Sequence, residues 1–243
     1  MSSYGHYVTD KAWLERYNAY QSKYAHDIPE RDKALLRLIG QVAKPAMSVL
    51  DVGCSTGNFL LHLKRMYPQL GLAGCDLAES SIKVAANTPE LSNVTFSTMD
   101  MLNLQGSYDI VIANAVAVYF TWDEYDKAIA SVAKVLKPGG AYISFEWLHP
   151  YDDQDIVILE YTPGHPEGLR ICFRPQIMVQ DVLNRHGFKS VDFHPFEIPI
   201  DLKHSGYSGD PITHTVKDEA GKRIQFRGAL AQPWCHMLTR KER

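Results

Sequence analysis

Ser48-Val49-Leu50-Asp51-Val52-Gly53-Cys54-Ser55-Thr56-Gly57-Asn58-Phe59-Leu60-Leu61-His62-Leu63-Lys64 is the stretch on which the reading of this chain turns. Its first five residues form a short apolar run suited to a buried parallel strand. Gly53 to Gly57 follow as a tight turn, and Phe59, Leu60 and Leu63 then recur at helical spacing. Strand, glycine turn and helix make half of a nucleotide-binding unit. Glycine lets a ligand approach the backbone closely, and a new helix offers unpaired N–H groups. The G-x-G-x-x-G spacing of a dinucleotide site is absent.

The same stretch resembles motif I of the class I S-adenosylmethionine-dependent methyltransferases, acidic-x-Gly-x-Gly-x-Gly at the end of the first strand. Asp51, Gly53 and Gly57 stand at motif positions, and Ser55 replaces the middle glycine. Serine is small enough for the turn but needs a compatible φ. The resemblance implies that Asp51, Gly53, Cys54, Ser55 and Gly57 border S-adenosylmethionine, with S-adenosylhomocysteine as product. It covers residues 46 to 147 well and the two final strands more loosely.

Outward from the motif the elements alternate. Leu70 to Asp76 reads as a second strand ending in an acid, with a helix from Ala78 to Asn87. A carboxylate there can accept two hydrogen bonds from ribose hydroxyls, in a nicotinamide or an adenosylmethionine site alike. Val94 to Met99 is a third strand, followed by Asp100-Met101. By the resemblance, Asp76 and Leu77 border the ribose side, Asp100 accepts from the adenine amine and Met101 packs on the ring. Tyr108 to Ala115 is the fourth strand, opened by Asp109; by the resemblance, Asn114, Ala115 and Tyr119 border the cofactor, at the lip where methyl donor and acceptor should meet. No Asn/Asp-Pro-Pro-Tyr/Phe sequence is present, which disfavours exocyclic amines of adenine, cytosine or glutamine as acceptors. Trp122 to Leu136 is an amphipathic helix with Tyr125, Ile129, Val132, Val135 and Leu136 on its inner face. Lys137-Pro138-Gly139-Gly140 turns into a fifth strand, Ala141 to Trp147. A helix from Pro175 to Arg185 ends at Gly187. Lys189 to Ile198 is a sixth strand and Trp234 to Thr239 a seventh.

The expected architecture is α/β: a Rossmann-like, seven-stranded, mostly parallel sheet with helices on both faces. It is read as a single domain over 1–243, with a helical N-terminal cap at 1–45, a core at 46–198 and 233–243, and an insertion at 199–232. Trp13, Leu14, Tyr17, Tyr20 and Tyr24 recur at three- and four-residue intervals in the cap until Pro29 interrupts. By resemblance to small-molecule methyltransferases, Tyr17, Tyr20 or Tyr24 touches the ligand. In the insertion, Thr213 to Lys217 and Lys222 to Phe226 flank Asp218-Glu219-Ala220-Gly221 as a β-hairpin.

Hydrophobic content of 45% and charged content of 22% fit a globular chain, and 243 residues suffice for a large core. A net charge of −3 without a long Lys/Arg run gives no footprint for nucleic acid. Cys54, Cys75, Cys172 and Cys235 form no C-x-x-C pair, which favours free thiols in a reducing compartment. No signal peptide or membrane-spanning run is visible, so the expected location is cytoplasmic.

Methyl transfer from a sulfonium is an in-line displacement in which positioning can supply about 7 kcal/mol or more. A hydroxyl acceptor also benefits from a base. His149, just past the fifth strand and beside Glu146, is the candidate catalytic base. Tyr20, Tyr24, Trp147, Tyr151 and Tyr161 are the candidate substrate pocket, an aromatic set suited to a small organic acceptor; Tyr119, His165 and Arg174 are further lining candidates. Asp152, Asp153 and Asp155 read as a solvated acidic turn rather than a metal centre. The leading function is methyl transfer to a small molecule, with oxygen as the expected acceptor atom. The alternatives are a non-catalytic S-adenosylmethionine-binding protein and, less favoured, a nicotinamide-dependent oxidoreductase, in which Asp100 would have no role.

Overall fold

The computed structural model describes residues 10–151, 154–162, 165–203, 213–227, 230–231 and 233–242. Two helices, α1 (Lys11–Lys23) and α2 (Glu30–Gly40), precede the alternating unit. That unit runs β1 (Ser48–Val52), α3 (Asn58–Met66), β2 (Gly71–Asp76), α4 (Glu79–Ala86), β3 (Thr95–Thr98), β4 (Tyr108–Asn114), α5 (Trp122–Val135) and β5 (Leu136–His149). A hairpin of β6 (Ile156–Thr162) and β7 (His165–Pro175) comes next, then α6 (Gln176–Arg185) and β8 (Phe188–Pro195). β9 (Thr213–Lys217), β10 (Arg223–Arg227), β11 (Leu230–Ala231) and β12 (Trp234–Lys241) complete the described strands.

Strand side chains alternate between faces, and the central strands are apolar on both. Val49, Ile110 and Ile112 pack with α2 and α3, through Leu35, Leu36, Ile39, Leu60 and Leu63. Leu50, Val52, Val111 and Ala113 point the other way, toward Tyr125, Ile129 and Val132 of α5 and Val179 and Leu183 of α6. Helices on both faces therefore follow from strands that have no polar face to offer water.

The main path of the sheet is β3-β2-β1-β4-β5-β12-β8. Along it, only β12 runs antiparallel to its neighbours. Seven strands make this path, but β7 also joins β5 through Leu148–Arg174 and His149–Pro175, with β6 antiparallel to β7. The sheet is thus larger than the seven strands expected. The β-branched run Ile156-Val157-Ile158, closed by Pro163-Gly164, carries a hairpin signal. β5 also extends two residues beyond the expected Trp147, and β8 stops at Pro195 rather than Ile198. The insertion folds as the expected hairpin, with the short β11 added to make three strands. At the opposite edge from the site, Asp109 accepts from Ser48 N (2.8 Å), Ser48 Oγ (2.7 Å) and Lys137 Nζ (2.7 Å), tying the starts of β1, β4 and β5 together.

Candidate active site

The carboxyl ends of β1, β2 and β4 open into a cavity of about 700 Å³. The turn after β1 forms its floor. Gly53, Ser55 and Gly57 all take left-handed backbone, with φ of 70°, 50° and 83°. A Cβ on Gly53 would stand 2.5 Å from Val116 Cγ2, so both conformation and space require glycine there. Ser55, the motif substitution, adopts the strained conformation that the absent glycine would take freely, and its N–H donates to Asp76 Oδ2 at 2.9 Å. Ala115, just past the tip of β4, also takes left-handed backbone, with φ of 59°. Its N–H donates to the Phe145 carbonyl at 2.9 Å.

Asp51, Gly53, Cys54, Ser55, Asp76, Leu77, Asp100, Met101, Asn114, Ala115 and Tyr119 all line this cavity; Gly57 lies behind it as the cap of α3. Asp76 also accepts from Ala78 N at 2.8 Å, and Asp100 caps its own turn through Leu102 N at 2.9 Å. Burial raises the Asp76 carboxyl, with the backbone N–H groups of Ala78, Ser55 and Leu77 opposing. Asp51 is pushed well above the usual carboxylate range by burial first, then by Asp32 and Asp76. Burial likewise lifts the Cys54 thiol well above its usual value, so Cys54 is no thiolate nucleophile.

The cap supplies the roof. Trp13, Leu14, Tyr17 and Gln21 of α1 line the cavity, with Trp13 stacked on Tyr17 at 4.9 Å. Ser81 Oγ donates to Asn18 Oδ1 at 2.8 Å, and Asn58 Nδ2 donates to the Gln21 carbonyl at 2.8 Å. Of the aromatic stripe, Tyr17 reaches the cavity, while Tyr20 and Tyr24 are exposed outside it. Burial raises the Tyr17 phenol, against the effect of the Ser55 hydroxyl. From α2 come Arg31 and Asp32, which pair at 3.4 Å; Asn114 Nδ2 donates to Asp32 Oδ1 at 3.0 Å. Asp32 carries no functional signal in the sequence, because an acid in the first turn of a helix already serves the dipole.

The other pocket residues expected from the sequence fall elsewhere, and the corrections have one cause. β5 continues into pairing with β7, which carries His149 away from the cavity. His149 is buried there, accepting from Tyr151 N at 3.3 Å. Trp147 is buried between Phe173 (4.8 Å, parallel) and Trp234 (4.5 Å). Tyr151 and Tyr161 are exposed. The cavity instead receives Phe145, Phe196 and Trp234, with Phe145 stacked on Trp234 at 4.3 Å. Asp155 Oδ2 accepts from Trp122 Nε1 at 2.6 Å, whereas Asp152 and Asp153 lie outside the described residues, as does the side chain of His165.

Arg174 stands behind the site rather than in it. Its guanidinium donates to the Ala117 carbonyl at 3.0 Å and to the Phe120 carbonyl, and Cys172 Sγ lies 3.1 Å from the same Phe120 oxygen. Arg174 also lies 3.7 Å from Glu146, both side chains being 1% exposed, and 4.5 Å over the Tyr125 ring. Burial raises the Glu146 carboxyl while Arg174 draws it down. The hairpin thereby fixes the loop that presents Tyr119 and Phe120 to the cavity.

The lining fits S-adenosylmethionine by its chemistry. Among the described lining residues, five carboxylates, Glu30, Asp32, Asp51, Asp76 and Asp100, accompany one guanidinium, Arg31. Asn114 Oδ1 is a buried polar atom without a protein partner. A ligand with a diol, an aromatic amine, an ammonium and a sulfonium supplies the donors and the positive charge that such a lining lacks.

Residues 49–140 match the methyltransferase-domain family. Residues 49–140 thus carry a methyltransferase domain, with the strand order and glycine turn expected of the class I S-adenosylmethionine-dependent kind. The chain is 33% identical over 112 residues to a malonyl-[acyl-carrier protein] O-methyltransferase of Bacillus cereus, covering 44% of this chain and 38% of that one. It is 31% identical over 121 residues to a trans-aconitate 2-methyltransferase of Deinococcus radiodurans, covering 50% and 44%. The chain thus spans less than half the length of these two relatives. A solved methyltransferase from Methanosarcina mazei shares the fold at TM-score 0.59 and 17% identity, over 84% of this chain and 97% of that one.

Proposed function

We propose that this chain transfers a methyl group to an oxygen of a small organic acceptor held in the cavity beside Asn114. The observation that carries this is the roofed cavity itself. Cap, sheet edge and the segment after β8 close around one space, which suits a molecule rather than a polymer surface. The Bacillus cereus relative is an O-methyltransferase, which supports oxygen. The four buried free cysteines suit a reducing, cytoplasmic setting. No helix among the described residues is long and apolar enough to cross a membrane.

Bound S-adenosylmethionine supplies an electrophilic methyl on a sulfonium. In this reading the turn Gly53–Gly57 and Asp76 hold its ribose and aminoacyl side, while Asp100 and Met101 hold the adenine. Asn114, Ala115 and Tyr119 set the place where the methyl meets the acceptor. Held there, the cofactor would supply its methyl to the acceptor oxygen beside Asn114, Ala115 and Tyr119, and the acceptor's proton would pass to solvent. Tyr17 and the α1 helix exclude water from above.

A thermal-shift titration with S-adenosylhomocysteine and NAD in parallel tests the cofactor part. Ligand at a hundredfold excess over its dissociation constant stabilises by about 2.7 kcal/mol. The parent should shift with S-adenosylhomocysteine alone, and Asp76→Ala should bind it at least about tenfold more weakly. A shift with NAD alone would sink the proposal.

A further inference from the structure

Phe196-Glu197-Ile198-Pro199-Ile200-Asp201-Leu202 follows β8 as a strap, bent at Pro199 and Ile200, that belongs to no strand of the sheet. Its side chains obey a period of two. Phe196, Ile198, Ile200 and Leu202 all line the cavity, and Glu197, Pro199 and Asp201 do not. The acidic members face the hairpin instead: Arg223 Nε donates to Asp201 at 2.7 Å, Lys217 lies 3.8 Å from Asp201, and Lys222 lies 3.9 Å from Glu197.

The strap is anchored at both ends by backbone. Phe196 N donates to the Trp234 carbonyl at 2.9 Å, and Thr215 N donates to the Leu202 carbonyl at 2.8 Å. Leu202 N in turn donates to Thr215 Oγ1 at 2.9 Å. Its first ring meets Phe145 edge-on at 5.5 Å, and Phe145 pairs in register with Asn114 at the tip of β4. An apolar wall therefore begins beside the place assigned to methyl transfer and runs outward. Ile200 is 51% exposed although it faces the cavity, an apolar surface that an acceptor would remove from water.

We infer that this strap is the acceptor-selecting wall, and that the acceptor presents to it a flat, uncharged apolar body bearing a hydroxyl. The inference rests on the methyltransferase reading for the placement of the methyl. Its physical basis is independent of that reading: a charged acceptor would lose hydration against four apolar side chains with no group on the strap to replace it. A planar apolar body gains contact with Phe196 and Phe145.

The probes are 2-naphthol, flat and neutral with one hydroxyl, and citrate, similar in size but triply anionic. Each is titrated into the full chain by calorimetry, with and without saturating S-adenosylhomocysteine. The expected result is naphthol binding without citrate binding, and at least about a tenfold loss of naphthol affinity in Ile198→Asp and in Ile200→Asp. Both variants should keep the parent's affinity for S-adenosylhomocysteine, which shows that they are folded. Binding of citrate but not naphthol, binding of neither, or equal naphthol affinity in parent and variants would overturn the assignment. Failure of S-adenosylhomocysteine to bind the parent condemns the methyltransferase reading instead, and the titration without it still reads the wall.

Discussion

Ser55 shows how a single residue can depart from a motif without abandoning its geometry. The turn demands positive φ, and the Asp76 carboxylate that receives the Ser55 N–H holds the serine in that conformation. His236 is a second residue whose environment decides its chemistry. Its Nε2 lies 3.1 Å from the Arg31 carbonyl, which only accepts, so this nitrogen carries the proton. Burial lowers the imidazole from 6.5 to about 4, with the Arg31 hydrogen bond opposing. Between those values the unfolded chain binds a proton that the native state refuses. The stability associated with His236 is therefore complete above pH 6.5 and is lost as pH falls toward 4. The loss amounts to about 3 kcal/mol at most. Urea midpoints at about pH 7.5 and about pH 4.5 should fall further in the parent than in His236→Gln. Equal falls would show that the acid sensitivity arises elsewhere.

At the scale of elements, the hairpin β6–β7 matters more to the site than its distance from the ligand implies. Through Arg174 and Cys172 it holds the carbonyls of Ala117 and Phe120, and so the loop on which Tyr119 stands. Arg174→Met should destabilise the fold by about 3–5 kcal/mol, because Glu146 is left buried without its cation. Glu146→Gln combined with Arg174→Met should recover part of that loss in the same denaturation experiment. No recovery would mean that the carbonyl contacts, and not the charge, carry the cost. The strands β1 to β4 and helices α3 to α5 are legible in the sequence because each has its own periodicity and its own turn residues, as with Gly53 to Gly57, whereas Lys137-Pro138-Gly139-Gly140, expected as a turn, lies within β5. The hairpin is marked in the sequence only by the short run Ile156-Val157-Ile158 and by Pro163-Gly164, and the polar candidates between Trp147 and Asp155 read as a loop that hides it. The same ambiguity puts His149 at the ligand, when pairing with Pro175 carries it inside.

Across the whole molecule, the cavity exists only because three distant parts of the chain meet over one sheet edge. Asn18–Ser81, Gln21–Asn58 and Asp32–Asn114 fasten the cap, and His236 holds the corner between its helices at Arg31. S-adenosylhomocysteine should therefore slow amide exchange in α1 by about tenfold or more, alongside the turn after β1. Protection confined to that turn would remove the cap from the binding site. Local pattern is enough to specify the α/β order, the glycine turn, and the row of Asp51, Asp76, Asp100 and Asn114, since each of these lies at or just past a strand end. The choice of aromatics that line the cavity belongs to tertiary packing. Tyr17 rather than Tyr20 lines the cavity, and so do Phe145 and Phe196 rather than Tyr151 and Tyr161, because helix docking and strand pairing select them and no local periodicity encodes that.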